Sequence, residues 1–159
     1  MNEHEELIKR FYTSFRDKDY RAMQECYHAE IIFSDPVFQN LMGNKAKAMW
    51  HMLTSRASDL KIMHSHIKSS GNNGSCHWEA WYPFSVTGRK VHNIIDATFE
   101  FRDGKIWRHT DHFDFWRWSR MALGMPGIFL GWTPMVKSQV RKRAAGNLEK
   151  FIQSHQEYA

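Results

Sequence analysis

The stretch Arg10–Val37, RFYTSFRDKDYRAMQECYHAEIIFSDPV, decides the fold. Its first part belongs to an apolar stripe at helical spacing, which predicts an amphipathic helix over residues 3–17. The polar run RDKD ends that helix, and Asp19 is placed to cap a second, shorter helix over residues 19–28. EIIF then predicts a short strand, which ends at Asp35-Pro36 because proline cannot continue a sheet ladder.

The segment that follows predicts one more helix and then a run of strands. The chain turns at Gly43 into a third helix, and apolar and polar residues then alternate along four strands over residues 60–69, 75–86, 91–101 and 106–115. GNNG and RDGK supply turns between them. One face of the second of these strands carries Trp78, Ala80, Tyr82, Phe84 and Val86. Helices followed by antiparallel strands indicate an α+β fold, with the helices on one face of a curved sheet.

The last 36 residues predict an extension of the same domain. GMPGIFLGW at 124–132 reads as an apolar connector, and Thr133-Pro134 opens a final helix with a cap followed by proline. One side of that helix is apolar and the other carries Lys137, Arg141, Lys142 and Arg143. We therefore expect one domain over 1–123, with 124–159 packed on it.

Composition limits the function classes. The chain has 159 residues, is 42% hydrophobic and 14% aromatic, and has a formal charge of +5. No apolar run approaches the roughly 20 residues that span a bilayer, and the acidic N-terminus is unlike a signal peptide, so a cytoplasmic protein is the default expectation. Cys26 and Cys76 lack metal-site spacing and are expected to be reduced. Without a glycine-rich phosphate loop, an HExxH motif or a basic motif interleaved with aromatics, we expect no cofactor, no metal and no nucleic acid.

Two segments carry a resemblance to a known superfamily. The opening stretch, and TGRKVHNIIDATFEFRDGKI at 87–106, resemble the ketosteroid isomerases of the nuclear transport factor 2-like superfamily, which also includes SnoaL-like polyketide cyclases and scytalone dehydratase. The resemblance covers roughly residues 5–115. It implies a cone-shaped fold in which three N-terminal helices pack on a strongly curved antiparallel sheet, here with an extra C-terminal helix.

The same resemblance implies a general base but no oxyanion hole. The isomerase base falls on Asp35, whereas the two hydrogen-bond donors fall on Phe11 and Ala97, which cannot donate. Tyr12 is displaced by about 100° around its helix, and Asp96 points to the other face of its strand. Since lost oxyanion donors cost orders of magnitude in rate, the sequence does not predict a standard ketosteroid isomerase.

The densest polar cluster is RHTDHFD at 108–114. Along a strand, His109, Asp111 and Phe113 share one face, which the resemblance places inside the cone. Asp35, His109 and Asp111 are thus the predicted acid–base residues, while Asp35 as a turn-former and His109–Asp111 as a structural pair or part of a dimer surface remain alternatives. The predicted ligand-lining residues are aromatic: Phe11, Tyr12, Trp50, Trp78, Tyr82, Phe99 and Phe113.

These features predict a protein with a pocket for a small apolar or aromatic ligand. The expected chemistry is isomerisation, cyclisation or dehydration without a cofactor. The competing function is a non-catalytic ligand-binding or protein-interaction module. In either case we expect a homodimer, as is usual for the resembling superfamily. A third possibility is attraction of the basic segment 137–150 to an anionic surface.

Overall fold

The computed structural model describes residues 1–159 as six helices and six strands. The helices are α1 (Glu3–Arg16), α2 (Tyr20–Glu25), α3 (Asn44–Arg56), α4 (Phe115–Leu123), α5 (Met125–Leu130) and α6 (Pro134–Gln153), followed by a 3₁₀ turn at Gln156–Tyr158. The strands are β1 (Tyr27–Ser34), β2 (Leu41–Met42), β3 (Lys61–Ser70), β4 (Asn73–Pro83), β5 (Lys90–Arg102) and β6 (Lys105–His112). The predicted α+β cone, with three N-terminal helices on a curved sheet, is confirmed.

The sheet is mixed, which corrects the prediction of a purely antiparallel one. Its strand order is β2-β1-β6-β5-β4-β3, and β1 pairs with β6 in parallel. The sheet becomes mixed because the chain reaches β6 only after α3 and the antiparallel run β3-β4-β5, and β6 then runs in the same direction as β1. This pairing sets His109 opposite Phe33 and Thr110 opposite Ser34.

Local chemistry explains where the N-terminal helices begin and end. Asn2 and Glu5 form a capping box at the start of α1, and the Asp19 side chain accepts from the Ala22 amide at 3.1 Å. Helix α2 stops at Glu25, three residues before the predicted end at 28. It stops there because Tyr27 already pairs with β6 and buries its ring in the core.

The C-terminal region departs most from the sequence prediction. Strand β6 ends at His112, and the Asp114 side chain caps α4 by accepting from the Arg117 amide at 3.1 Å. The predicted connector contains the short helix α5. Val86, predicted to share a strand face with Trp78 and Tyr82, is exposed because β4 already ends at Pro83. The Thr133 cap and the first-turn proline of α6 are as predicted.

The hydrophobic core lies between α1, α3 and the sheet, with a smaller cluster at one end. That cluster consists of Val91, Phe115, Trp118 and Ala122, and Val37, Tyr82, Phe113 and Val140 pack against it. It covers the end of the sheet at which β1, β4 and β6 finish and β5 begins, which is also where Asp35 lies. No helix combines the length and the apolar character needed to cross a bilayer.

Candidate functional site

A chain of hydrogen bonds runs through the centre of the cone. His109 Nε2 lies 2.9 Å from Asp111 Oδ1, and His109 Nδ1 lies 2.7 Å from the hydroxyl of Tyr27. The indole N–H of Trp50 donates to the Tyr27 oxygen at 2.7 Å, and that of Trp78 donates to Asp111 Oδ1 at 3.2 Å. All five side chains are buried, so the inward register predicted for His109 and Asp111 is correct.

Partner chemistry fixes where the protons sit in this network. A carboxylate only accepts, so the nitrogen facing Asp111 carries the proton of a neutral His109 ring and Nδ1 accepts from the Tyr27 hydroxyl. Burial raises the pKa of Tyr27 well above its ordinary value, and the Trp50 bond opposes that rise. The rings of Phe11, Phe33 and Phe99 enclose the histidine. Every ring nitrogen of His109 is satisfied, as in a buried structural pair.

Asp35 lies beside this network, at the end of β1. The parallel register that pairs Phe33 with His109 and Ser34 with Thr110 brings Asp35 alongside Asp111. Its Oδ1 accepts from the amides of Val37 at 2.7 Å and Phe38 at 2.6 Å, which is the turn-forming role of an aspartate before proline. No hydrogen bond within the chain ends on its Oδ2, and the residue as a whole is only partly buried.

The surroundings move the acidity of Asp35 towards neutral pH. Burial is the largest cause and raises its pKa to about 7. The hydrogen bond from the Phe38 amide lowers this pKa, and the negative charge of Asp111 raises it. The hydrogen bond from the Val37 amide and the positive charge of Arg141 lower it further. Arg141 on α6 also donates to the Pro36 carbonyl at 2.9 Å and so holds the turn from outside. A carboxyl group with such a pKa exchanges protons readily near pH 7.

Tyr82 is the second polar group at this end of the cone. Burial raises its pKa to about 12, with the Trp118 bond lowering it and the charge of Asp35 raising it. The Trp118 indole N–H donates to the Tyr82 hydroxyl at 2.8 Å. The sequence did not predict a role for Trp118 or Arg141. Trp118 contacts Tyr82, 36 residues away, and Arg141 contacts Pro36, 105 residues away, and no local sequence pattern marks such distant pairs.

The predicted ligand-lining aromatics divide into two groups. Phe11, Tyr12, Trp50, Trp78 and Phe99 are buried in the main core, whereas Tyr82 and Phe113 are partly buried near Asp35. Tyr12, displaced by about 100° from the isomerase donor position, also points into the interior, and its ring centroid lies 5.7 Å from that of Trp78. The buried stripe of an amphipathic helix is at least about 100° wide, so Phe11 and Tyr12 can both lie in it. Burial raises the pKa of Tyr12, whose hydroxyl has no partner.

Two cavities lie at the surface rather than around the network. One, of about 420 Å³, is bordered by His66, His77 and Asp96; Asp96 faces outward as predicted and lies 2.8 Å from the His77 ring. The other, of about 300 Å³, is a groove between α6 and the residues after Asp35, including Val37, Phe38 and Arg141. Neither His109 nor Asp111 borders either of them. The groove adjoins the two residues whose amides hold Asp35.

Comparisons with known proteins agree with this geometry at the level of fold. Residues 8–109 match the family model described as a SnoaL-like domain. A search of curated protein sequences gave no match.

Solved structures resemble the chain at low identity. An LEH-like epoxide hydrolase from M. tuberculosis is 15% identical, covers 76% of this chain and 90% of its own, and has a TM-score of 0.65. A putative SnoaL-like polyketide cyclase from Jannaschia sp. CCS1 is 15% identical; the match covers 78% of this chain and 94% of the cyclase chain, with a TM-score of 0.67. A third structure is a hypothetical protein with a ketosteroid isomerase-like fold from Catenulispora acidiphila, solved in complex with trimethylamine. It is 11% identical; the match covers 81% of this chain and 98% of that chain, with a TM-score of 0.67.

Proposed function

Because the chain belongs to the SnoaL-like domain family of the nuclear transport factor 2-like superfamily, we propose that it binds a small apolar ligand beside Asp35 and transforms it by acid–base chemistry without a cofactor. One observation carries this proposal. Asp35 has one oxygen fixed by two backbone amides, a second oxygen free, and a pKa raised to about 7.

Asp35 is the proposed proton carrier. Its Oδ2 would take a proton from the ligand and return it at another position, which is the common requirement of isomerisation, cyclisation and dehydration. Oδ1 stays bonded to the Val37 and Phe38 amides throughout, so the carboxyl group keeps its orientation. Asp111, held by His109 and Trp78, acts as a positioning residue because its negative charge keeps the pKa of Asp35 high.

The proposed ligand class follows from the walls around Asp35. Tyr82, Phe113 and Val37 are apolar surfaces at this end of the cone, which suit a flat, apolar molecule. The groove of about 300 Å³ beside Val37 and Phe38 is the proposed entry. Names of structural neighbours, a polyketide cyclase and an epoxide hydrolase, support a small organic substrate but are too distant to choose a reaction.

A non-catalytic ligand-binding module is the second candidate function. It is favoured by the His109 network, in which the histidine and Asp111 are already paired with Tyr27 and Trp78. Both ring nitrogens of His109 are satisfied inside the core, which leaves the histidine no free site for a substrate. In this case Asp35 would only shape the turn.

A ligand panel separates the two candidates. Intrinsic tryptophan fluorescence of the wild type, Asp35→Asn and the control Asp114→Asn is followed with steroids, phenols, aromatic polyketides and terpenoids, and turnover is checked by chromatography. We expect saturable binding in all three proteins and product only in the wild type and the control. Product from Asp35→Asn would refute the base assignment, and binding without product in the wild type would establish the non-catalytic module.

The expected homodimer belongs to the same proposal. Register places Met63 opposite Glu79 and Glu79 opposite Ile94 on the outer sheet face, where both apolar side chains are exposed. Such a half-apolar sheet face suits pairing with a second copy. Sedimentation of the wild type and Met63→Glu tests this: a dimer that the variant dissociates is expected, and a monomeric wild type would contradict it.

A further inference from the structure

A dense group of exposed apolar side chains surrounds α5. Six of the thirteen large hydrophobic residues exposed on the whole chain lie within residues 125–135, here named the apolar cap: Met125, Ile128, Phe129, Leu130, Trp132 and Met135. Phe129 is 63% and Trp132 69% exposed. Two indoles are held against the backbone of this segment: Trp132 donates to the Phe129 carbonyl at 3.0 Å, and the exposed Trp116 donates to the Ile128 carbonyl at 3.3 Å.

Close packing on α4 directs the apolar cap outward. A Cβ added at Gly127 would overlap the Ser119 carbonyl, and one added at Gly131 would overlap the Ser119 hydroxyl. The glycine side of α5 is therefore pressed against α4, which leaves the bulky side chains on the solvent side. Contiguous exposed apolar surface of this kind marks an interaction site.

The segment of the chain that contains the apolar cap carries charges of one sign only. From Phe115 to Leu148 the chain has six Lys and Arg residues and no Asp or Glu, whereas the remainder has sixteen Lys and Arg against seventeen Asp and Glu. The net charge of +5 therefore arises from this segment alone. An anionic partner is the complement of such a surface.

Cations and apolar side chains also lie side by side on helices α4 and α6. On α6, Met135, Gln139 and Lys142 recur at spacings of four and three, so the cap continues into a basic face, with Arg143 exposed beside it. The guanidinium of Arg120 lies 4.2 Å from the ring centroid of Trp116. Tryptophan and cations around an apolar centre are typical of segments that rest in the membrane interface.

We propose that the apolar cap docks the protein on an anionic lipid bilayer, with Phe129 and Trp132 inserted among the acyl chains and the exposed cations Lys142 and Arg143 on the headgroups. A second copy docked on the same surface would bring the cations of the two copies close together, and these like charges would repel each other. A nucleic acid would set phosphates against the apolar side chains. A bilayer satisfies both the apolar centre and the basic surround.

Vesicle sedimentation tests the proposal with the full chain. Vesicles of phosphatidylcholine alone are compared with an equal mixture of phosphatidylcholine and phosphatidylserine, at low and high salt. The wild type is expected to sediment with the mixed vesicles, and salt is expected to weaken but not abolish its binding. Lys142→Glu with Arg143→Glu should weaken binding more than about tenfold, since each cation near such a surface is worth about a factor of five.

Two further variants test insertion. Phe129→Ser with Trp132→Ser should abolish sedimentation while the circular dichroism spectrum stays unchanged. Lys61→Glu with Lys68→Glu keeps the apolar cap and is the matched control for the double charge reversal, so it should still insert into the vesicles and sediment with them. No sedimentation of the wild type, or full retention by the Phe129/Trp132 variant, would overturn the proposal. A wild-type dimer that this variant dissociates, without vesicle binding, would assign the cap to a second copy instead. Because no small ligand is involved, these results are independent of the chemistry proposed at Asp35.

Discussion

Replacement of Asp35 by asparagine removes one ionisable group but keeps the turn. The amide oxygen of asparagine can still accept from the Val37 and Phe38 amides, which lie 2.7 and 2.6 Å from Oδ1 in the wild type. The variant therefore isolates the effect of charge at this position. We expect it to change how the free energy of unfolding depends on pH.

The direction follows from proton linkage. The pKa of Asp35 rises from 3.8 to about 7 on folding, so between these pH values the native state binds more protons than the unfolded state. The wild type must therefore lose stability as pH rises through this window, relative to Asp35→Asn. One pKa unit corresponds to about 1.4 kcal/mol, which gives an upper limit of about 4 kcal/mol for the complete window.

Urea unfolding followed by tryptophan fluorescence from pH 4 to 8 measures this effect. Taking the difference between the two proteins cancels the titration of the ten histidines, which both share. Asp114→Asn is the control, because Asp114 also accepts from a backbone amide but is exposed. The stabilities of the wild type and Asp35→Asn should diverge by several kcal/mol with rising pH. Parallel curves would refute the claim that burial controls this carboxyl group.

Three further substitutions test other parts of the structure. Tyr27→Phe leaves His109 Nδ1 and the Trp50 indole unpaired, so unfolding in urea should show a loss of about 1–3 kcal/mol for each group; a smaller total would mean that the network is not closed. Tyr12→Phe removes a buried hydroxyl without a partner, and calorimetry should show a midpoint unchanged or raised, whereas a clear drop would indicate a hidden partner. Gly127→Ala should destabilise the α4–α5 contact and lower the thermal midpoint, and an unchanged midpoint would contradict the close approach to Ser119.

Local patterns predicted much of the fold and part of the site. The two-residue period of a strand put His109 and Asp111 on one face and Asp96 on the opposite face from Ala97, and the resemblance to the isomerases placed the first face inside the cone. Caps at Asp19 and Thr133 marked helix starts because their chemistry lies within three residues. The position of Asp35 before proline indicated a turn, and the resemblance to the isomerases marked Asp35 as the candidate base.

Other features depend on contacts that are distant in sequence. The parallel pairing of β1 with β6 joins residues about 76 apart, and a strand pattern does not encode its neighbour's direction. The pKa of Asp35 depends on burial by the assembled fold, on Asp111 and on Arg141, none of which a single strand pattern supplies. Helix α5 was missed because a six-residue apolar run is too short to show helical periodicity.

The proposed function requires that a small ligand binds at the Asp35 turn. The most direct measurement follows the ¹H–¹⁵N resonances of the Val37 and Phe38 amides, which bond Asp35 Oδ1, while ligands of the proposed panel are added. We expect saturable shifts of these two amides for at least one flat, apolar compound. If every compound that binds shifts only other amides, such as those of the apolar cap, the ligand site is elsewhere and the proposed function of Asp35 is contradicted.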